Sequence, residues 1–152
     1  MNYDISKDIN EIIRRLEKDN IDLKNKTILV TGGAGFLGSW VCDVLVEFGA
    51  YCICLDNLSS GRYENIAHLM DRENFRFINH DISKPIYFGL SNHPRGVCVG
   101  NIKKIDVVMH MASRASPFEF RQYPIPILKS NTLGTMNALG IAKSHNAIFF
   151  YT

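Results

Sequence analysis

The stretch Lys26-Thr-Ile-Leu-Val-Thr-Gly-Gly-Ala-Gly-Phe-Leu-Gly-Ser-Trp40 restricts the fold more than any other part of this chain. A β-branched and aliphatic run enters a cluster of glycines directly, and a helical apolar pattern begins within it. A strand that passes into a helix through so tight a turn leaves the first backbone N–H groups of the helix without partners, and the peptide dipoles there favour a negative charge. Glycines permit positive φ and close approach of a ligand to the main chain. Gly32, Gly35 and Gly38, spaced G-x-x-G-x-x-G, are therefore the expected phosphate-contacting positions. A second apolar run, Tyr51-Cys-Ile-Cys-Leu-Asp56, ends on an acid 21 positions after Gly35. That lies close to the offset of about 20 at which a carboxylate meets the ribose of a dinucleotide. The negative charge of Asp56 repels a 2′-phosphate, and the next basic residue is Arg62, so the pattern predicts NAD over NADP.

Strands are expected at 26–31, 51–56, 75–79, 105–110 and 147–152, and helices at 36–49, 63–71 and 124–144. This alternation predicts an α/β fold, a Rossmann-type doubly wound parallel sheet of order 3-2-1-4-5, with its ligand across the carboxyl ends of the strands. The runs 105–109 and 147–151 read as strands covered on both faces. Ahead of the sheet, Ile5, Ile9, Ile12, Ile13 and Leu16 form one stripe of an amphipathic helix over 5–19, either packed on the domain or used as a subunit contact. The chain thus divides into a helical extension, 1–24, and a dinucleotide-binding domain, 25–152. Residues 88–104 carry turn formers at short intervals and read as an irregular excursion.

A hydrophobic fraction of 46% supports a sizeable core. Seventeen basic and 15 acidic residues are interspersed for a net charge of +2, so no nucleic-acid footprint is expected. The sequence shows neither an apolar run of about 20 residues nor a signal peptide, and a cytoplasmic, membrane-free protein is expected. Cys42, Cys52, Cys54 and Cys98 lack metal-ligand spacing; Cys52 and Cys54 read as small buried hydrophobes on one strand face, and no metal is expected.

With Thr31 before the glycines and Phe36-Leu37 among them, the first motif resembles the extended, sugar-nucleotide-modifying branch of the short-chain dehydrogenase/reductase superfamily. Asp56-Asn-Leu-Ser-Ser-Gly61, His80-Asp-Ile82, Pro85-Ile-Tyr87, His110-Met-Ala-Ser-Arg-Ala-Ser-Pro117 and Leu128-Lys-Ser-Asn-Thr-Leu-Gly-Thr135 extend the likeness over residues 26–152. Within that branch the chain is similar to the UDP-glucuronate decarboxylase group, with dTDP-glucose 4,6-dehydratases and UDP-glucose 4-epimerases as relatives. The resemblance implies that Asp81 and Ile82 meet the adenine and that Phe36 and Leu37 N–H groups hold the pyrophosphate. It places Met111, Ala112 and Ser113 beside the nicotinamide, with Asn57, Ser59, Ser60, Gly61 and Ser130 completing the NAD pocket. Pro85, Ile86, Tyr87, Arg114 and Lys129 fall on the nucleotide-sugar side.

Arg114 stands where that group usually has proline, and the 88–104 excursion is longer than the connection found there. A guanidinium at 114 matches a diphosphate or a sugar carboxylate bidentately. The superfamily's catalytic Ser/Thr follows the fifth strand, and its Tyr-x-x-x-Lys pair lies on the next helix. This sequence stops at Thr152, so it is expected to hold no catalytic residue and to be inactive alone, as the NAD-binding portion of an enzyme that is a homodimer when intact; the alternative is a non-catalytic NAD-binding module that senses redox state or pairs with another protein. Tyr3-Asp-Ile-Ser-Lys7 matches the pair by letters, but it precedes the first strand.

Overall fold

The structure is a computed structural model that describes residues 4–88, 97–100 and 102–152. Its elements are α1 (Ser6–Lys18), β1 (Thr27–Thr31), α2 (Phe36–Phe48), β2 (Tyr51–Asp56), β3 (Phe75–Asn79), β4 (Ile86–Tyr87), β5 (Val97–Cys98), β6 (Val107–His110), α3 (Pro117–Gln122), α4 (Pro124–Lys129), α5 (Thr135–His145) and β7 (Ile148–Tyr151). The main sheet is parallel in the order β3-β2-β1-β6-β7. Once the separate two-residue pair β4–β5 is set aside, this is the expected 3-2-1-4-5 arrangement.

Strand alternation divides the core between the two faces of the sheet. Ile28 and Val30 face α2, packing with Cys42, Leu45, Val46, Cys52 and Cys54. Leu29 faces the other way, with Ile53, Leu55, Ile105, Val108 and the α5 residues Ala138, Ile141 and Ala142. Helices on both faces let β1 and β2 be buried almost throughout, which is why they read as unbroken apolar runs. Cys52 and Cys54 do serve as small core residues. α2 closes on Gly49 in the left-handed region, and Ala50 N–H reaches the Leu45 carbonyl at 2.9 Å.

α1 forms as expected and packs on α2, but only part of its stripe is used. Ile9 is buried and Ile13 and Leu16 are half-buried, whereas Ile5 and Ile12 face solvent. Tyr3 lies outside the described residues.

Four expectations are corrected, and one helix is present that the sequence reading did not assign. Residues 63–71 form two 3₁₀ turns, Tyr63–Asn65 and Ala67–Leu69, instead of a helix. Here Arg62 N–H and Asn65 Nδ2 both donate to the Ala34 carbonyl, at 3.0 and 2.8 Å, so the segment is tied to the glycine turn rather than wound on itself. A short helix, α3, starts at Pro117, whose missing N–H costs nothing at a first helical position. The helix over 124–144 is interrupted by a π-helical turn at Ser130–Gly134, where the Thr132 and Thr135 hydroxyls donate back to the Leu128 and Asn131 carbonyls. The 88–104 excursion contributes β5, paired in parallel with β4; residues 89–96 and 101 lie outside the described residues. Finally, β7 is not covered on both faces. It lies at the sheet edge, with Ile148 and Phe150 exposed on the side that α5 does not cover and Tyr151 exposed at the strand's end.

Candidate functional site: a dinucleotide cleft

The carboxyl ends of β1, β2, β3 and β6 open into one cleft of about 810 Å³, within the roughly 300–1,000 Å³ of small-molecule sites. At its floor the chain leaves β1 through Gly32, whose φ of 74° and packing against the Ala112 backbone exclude a side chain. A Cβ at Gly38 would overlap the Gly32 carbonyl oxygen and sit 2.8 Å from Gly33 Cα. The first turn of α2 can therefore lie directly on the end of β1. Its first internal hydrogen bond is Ser39 N–H to the Gly35 carbonyl, so helix geometry leaves Phe36, Leu37 and Gly38 N–H without intrahelical partners at the cleft. Phe36 and Leu37 are 78% and 67% exposed, and both line the cleft.

Asp56, at the end of β2, lines the cleft beside the glycine turn. One carboxylate oxygen accepts Ala34 N–H at 3.0 Å and the other accepts Leu58 N–H at 2.8 Å, tying the glycine turn to the end of β2. Each oxygen keeps lone-pair capacity for a further donor. Arg62 does not line the cleft.

A buried polar relay fixes the β6 side. Thr31 Oγ1 accepts Met111 and Ala112 N–H, both at 3.2 Å, which leaves its own hydrogen for Nδ1 of His110 at 2.7 Å. The partners thus assign the imidazole proton to Nε2, which donates to Thr135 Oγ1 at 3.2 Å; the Thr135 hydroxyl in turn donates to the Asn131 carbonyl. Burial holds the His110 pKa below its ordinary value, consistent with a neutral ring. Ser130 Oγ donates to the Ala112 carbonyl at 2.6 Å, joining the π turn to the same loop.

The cleft gathers Gly32, Gly35, Phe36, Leu37, Gly38, Asp56, Asn57, Ser59, Ser60, Asp81, Ile82, Met111, Ala112, Ser113 and Ser130, with Arg114 and Lys129. Gly61 stands behind the Asp56 carboxylate instead of lining the cleft. Pro85, Ile86 and Tyr87 are not among the lining residues either; Ile86 is in the core, and Ile86 and Tyr87 form β4. Sequence reasoning missed His80, Glu119, Phe120 and Pro126, which also line the cleft. The last three arrive on α3 and α4, and Ser116-Pro117 was the start signal that could have found α3.

Open helix-start amides and a strand-end carboxylate at the switch point of a doubly wound sheet are the arrangement of a nucleotide-binding α/β fold. The chain belongs to the NAD dependent epimerase/dehydratase family, whose sequence model matches residues 28–152. It is similar to UDP-glucuronic acid decarboxylase 1 of Danio rerio, with 42% identity over 118 residues covering 78% of this chain and 25% of that protein. Among solved structures it is similar to an epimerase of Methanothermobacter thermautotrophicus, with a TM-score of 0.66, 29% identity, and 85% of this chain and 35% of that one covered. It is also similar to a Thermus thermophilus UDP-glucose 4-epimerase in complex with NAD, with a TM-score of 0.57, 25% identity, and 80% and 35% coverage. The chain spans about a quarter to a third of the length of the curated relatives it matches. Among the described residues no helix is long and apolar enough to cross a membrane.

Proposed function

We propose that this chain is the NAD-binding part of a nucleotide-sugar-modifying enzyme, with UDP-glucuronate decarboxylation as the first reading. dTDP-glucose 4,6-dehydratase or UDP-glucose 4-epimerase chemistry is the second. The carrying observation is the cleft itself: the free amides at the start of α2 and the Asp56 carboxylate tied to the glycine turn line one space of about 810 Å³. The decarboxylase relatives support the first substrate, and the epimerase structures keep the second open.

In this reading NAD supplies the hydride acceptor for oxidation of the sugar. The chain's own residues orient it. Phe36 and Leu37 N–H groups hold the diphosphate, the remaining lone pairs of Asp56 take ribose hydroxyls, and Asp81 accepts from the adenine amino group. Met111, Ala112 and Ser113, fixed by the Thr31–His110 relay, set the nicotinamide end. Lys129, exposed at the cleft, faces the nucleotide sugar. Arg114, whose guanidinium reaches the Ser59 carbonyl in the loop after β2, is paired with Glu119, so it offers little net charge to a 2′-phosphate. NAD is therefore preferred over NADP.

Alone, the chain binds cofactor without turnover. Calorimetric titration with NAD and NADP tests the cofactor reading: NAD is expected to bind more tightly, and equal or reversed affinities overturn it. Carbon dioxide release from UDP-glucuronate by a polypeptide extended past Thr152 tests the substrate, and C4 inversion of UDP-glucose instead would establish the second reading.

A further inference from the structure

The sheet order sets β1 between β2 and β6, so the loops following β2 and β6 stand on either side of the glycine turn. One side chain joins them. Arg114, from the loop after β6, donates from Nη2 to the Ser59 carbonyl at 2.6 Å in the loop after β2. Its Nη1 pairs with Glu119 on α3, and its Cζ lies 4.5 Å from the centre of the Tyr123 ring. The side chain is 15% exposed, and Ser59, Arg114 and Glu119 all line the cleft. A planar fork that stacks on an aromatic ring while bonding a carboxylate and a carbonyl uses geometry that only a guanidinium has. The carboxylate also offsets its charge, so the bridge can form without an anion beneath it.

We propose that Arg114 is a strap across the mouth of the cleft, closing over the diphosphate of a bound dinucleotide so that cofactor entry and exit both wait on its release. This assigns the guanidinium to cofactor retention instead of to the sugar nucleotide, and it rests on the dinucleotide reading above. Because opening precedes passage in either direction, weakening the strap accelerates both directions and leaves the equilibrium nearly unchanged. A purely structural role would instead slow association and weaken affinity.

The test is stopped-flow fluorescence with NADH on the wild-type chain and on Arg114→Ala, Arg114→Lys and Glu119→Gln. Arg114→Ala is expected to raise the association and dissociation rates by about tenfold each, the order set by one charge-assisted hydrogen bond, with the dissociation constant changed by less than about threefold. Arg114→Lys should behave like alanine, since an ammonium cannot bond both partners and stack. Glu119→Gln should raise both rates by a smaller factor, and it supplies the answer should the alanine variant not fold. Wild-type rates in Arg114→Lys, or unchanged rates in Glu119→Gln and Arg114→Ala beside a wild type that binds, overturn the strap alone. No binding of NADH by any of the four proteins overturns the dinucleotide reading and the strap with it.

Discussion

Replacing Asp56 with alanine probes how the cleft is held open before any ligand arrives. Its carboxylate accepts Ala34 N–H at 3.0 Å and Leu58 N–H at 2.8 Å, and the residue is 7% exposed. Each bond to a charged acceptor contributes about 1.5–3 kcal/mol, and water entering at the sheet end recovers part of that. A loss of about 3 kcal/mol for the pair follows, or about 6–12 °C in melting temperature for a chain of this size. Urea unfolding and calorimetry in the absence of nucleotide measure it directly. NAD affinity falls as well in this variant, but the stability loss appears without ligand and so separates the tie from the ribose contact. A variant within about 0.5 kcal/mol of wild type would refute the argument that this acid buttresses the glycine turn.

Three further outcomes follow from the same geometry. Gly38→Ala puts a methyl group into the Gly32 carbonyl and against Gly33, all backbone, so a loss of about 3 kcal/mol or more and of measurable NAD binding is expected by unfolding and titration. The lowered His110 pKa means the unfolded chain binds more protons just below its ordinary value of 6.5. Stability should therefore be full above that value and fall as pH drops from 7 towards 5, and urea midpoints should show a shallower slope in His110→Asn, with His145→Gln as the background because burial lowers that pKa too. Burial raises the Asp43 pKa while His68, 2.6 Å away, opposes it. His68→Ala should cost about 1 kcal/mol at pH 7 and less at pH 4, where the carboxyl takes up its proton, as denaturant titration at the two values would show.

The sequence by itself determined the sheet order, the glycine turn and the acid at the end of β2, because each is written in short-range terms: apolar runs, residues without Cβ, and a fixed offset. Buried strands such as β1 and β2 need no partner to be recognised. What only the tertiary structure decided depends on contacts between distant segments. Residues 63–71 lost their helix to bonds with Ala34, some 30 positions away, and the π turn at Ser130–Gly134 is joined to the loop after β6 through Ser130 and Ala112. Glu119 entered the cleft because Arg114 reached it and Ser59 together, 5 and 55 positions away. A hydrogen-bond partner brought in by the fold leaves no period and no motif in the chain, so the strap across the cleft became legible only once β2, β1 and β6 lay side by side.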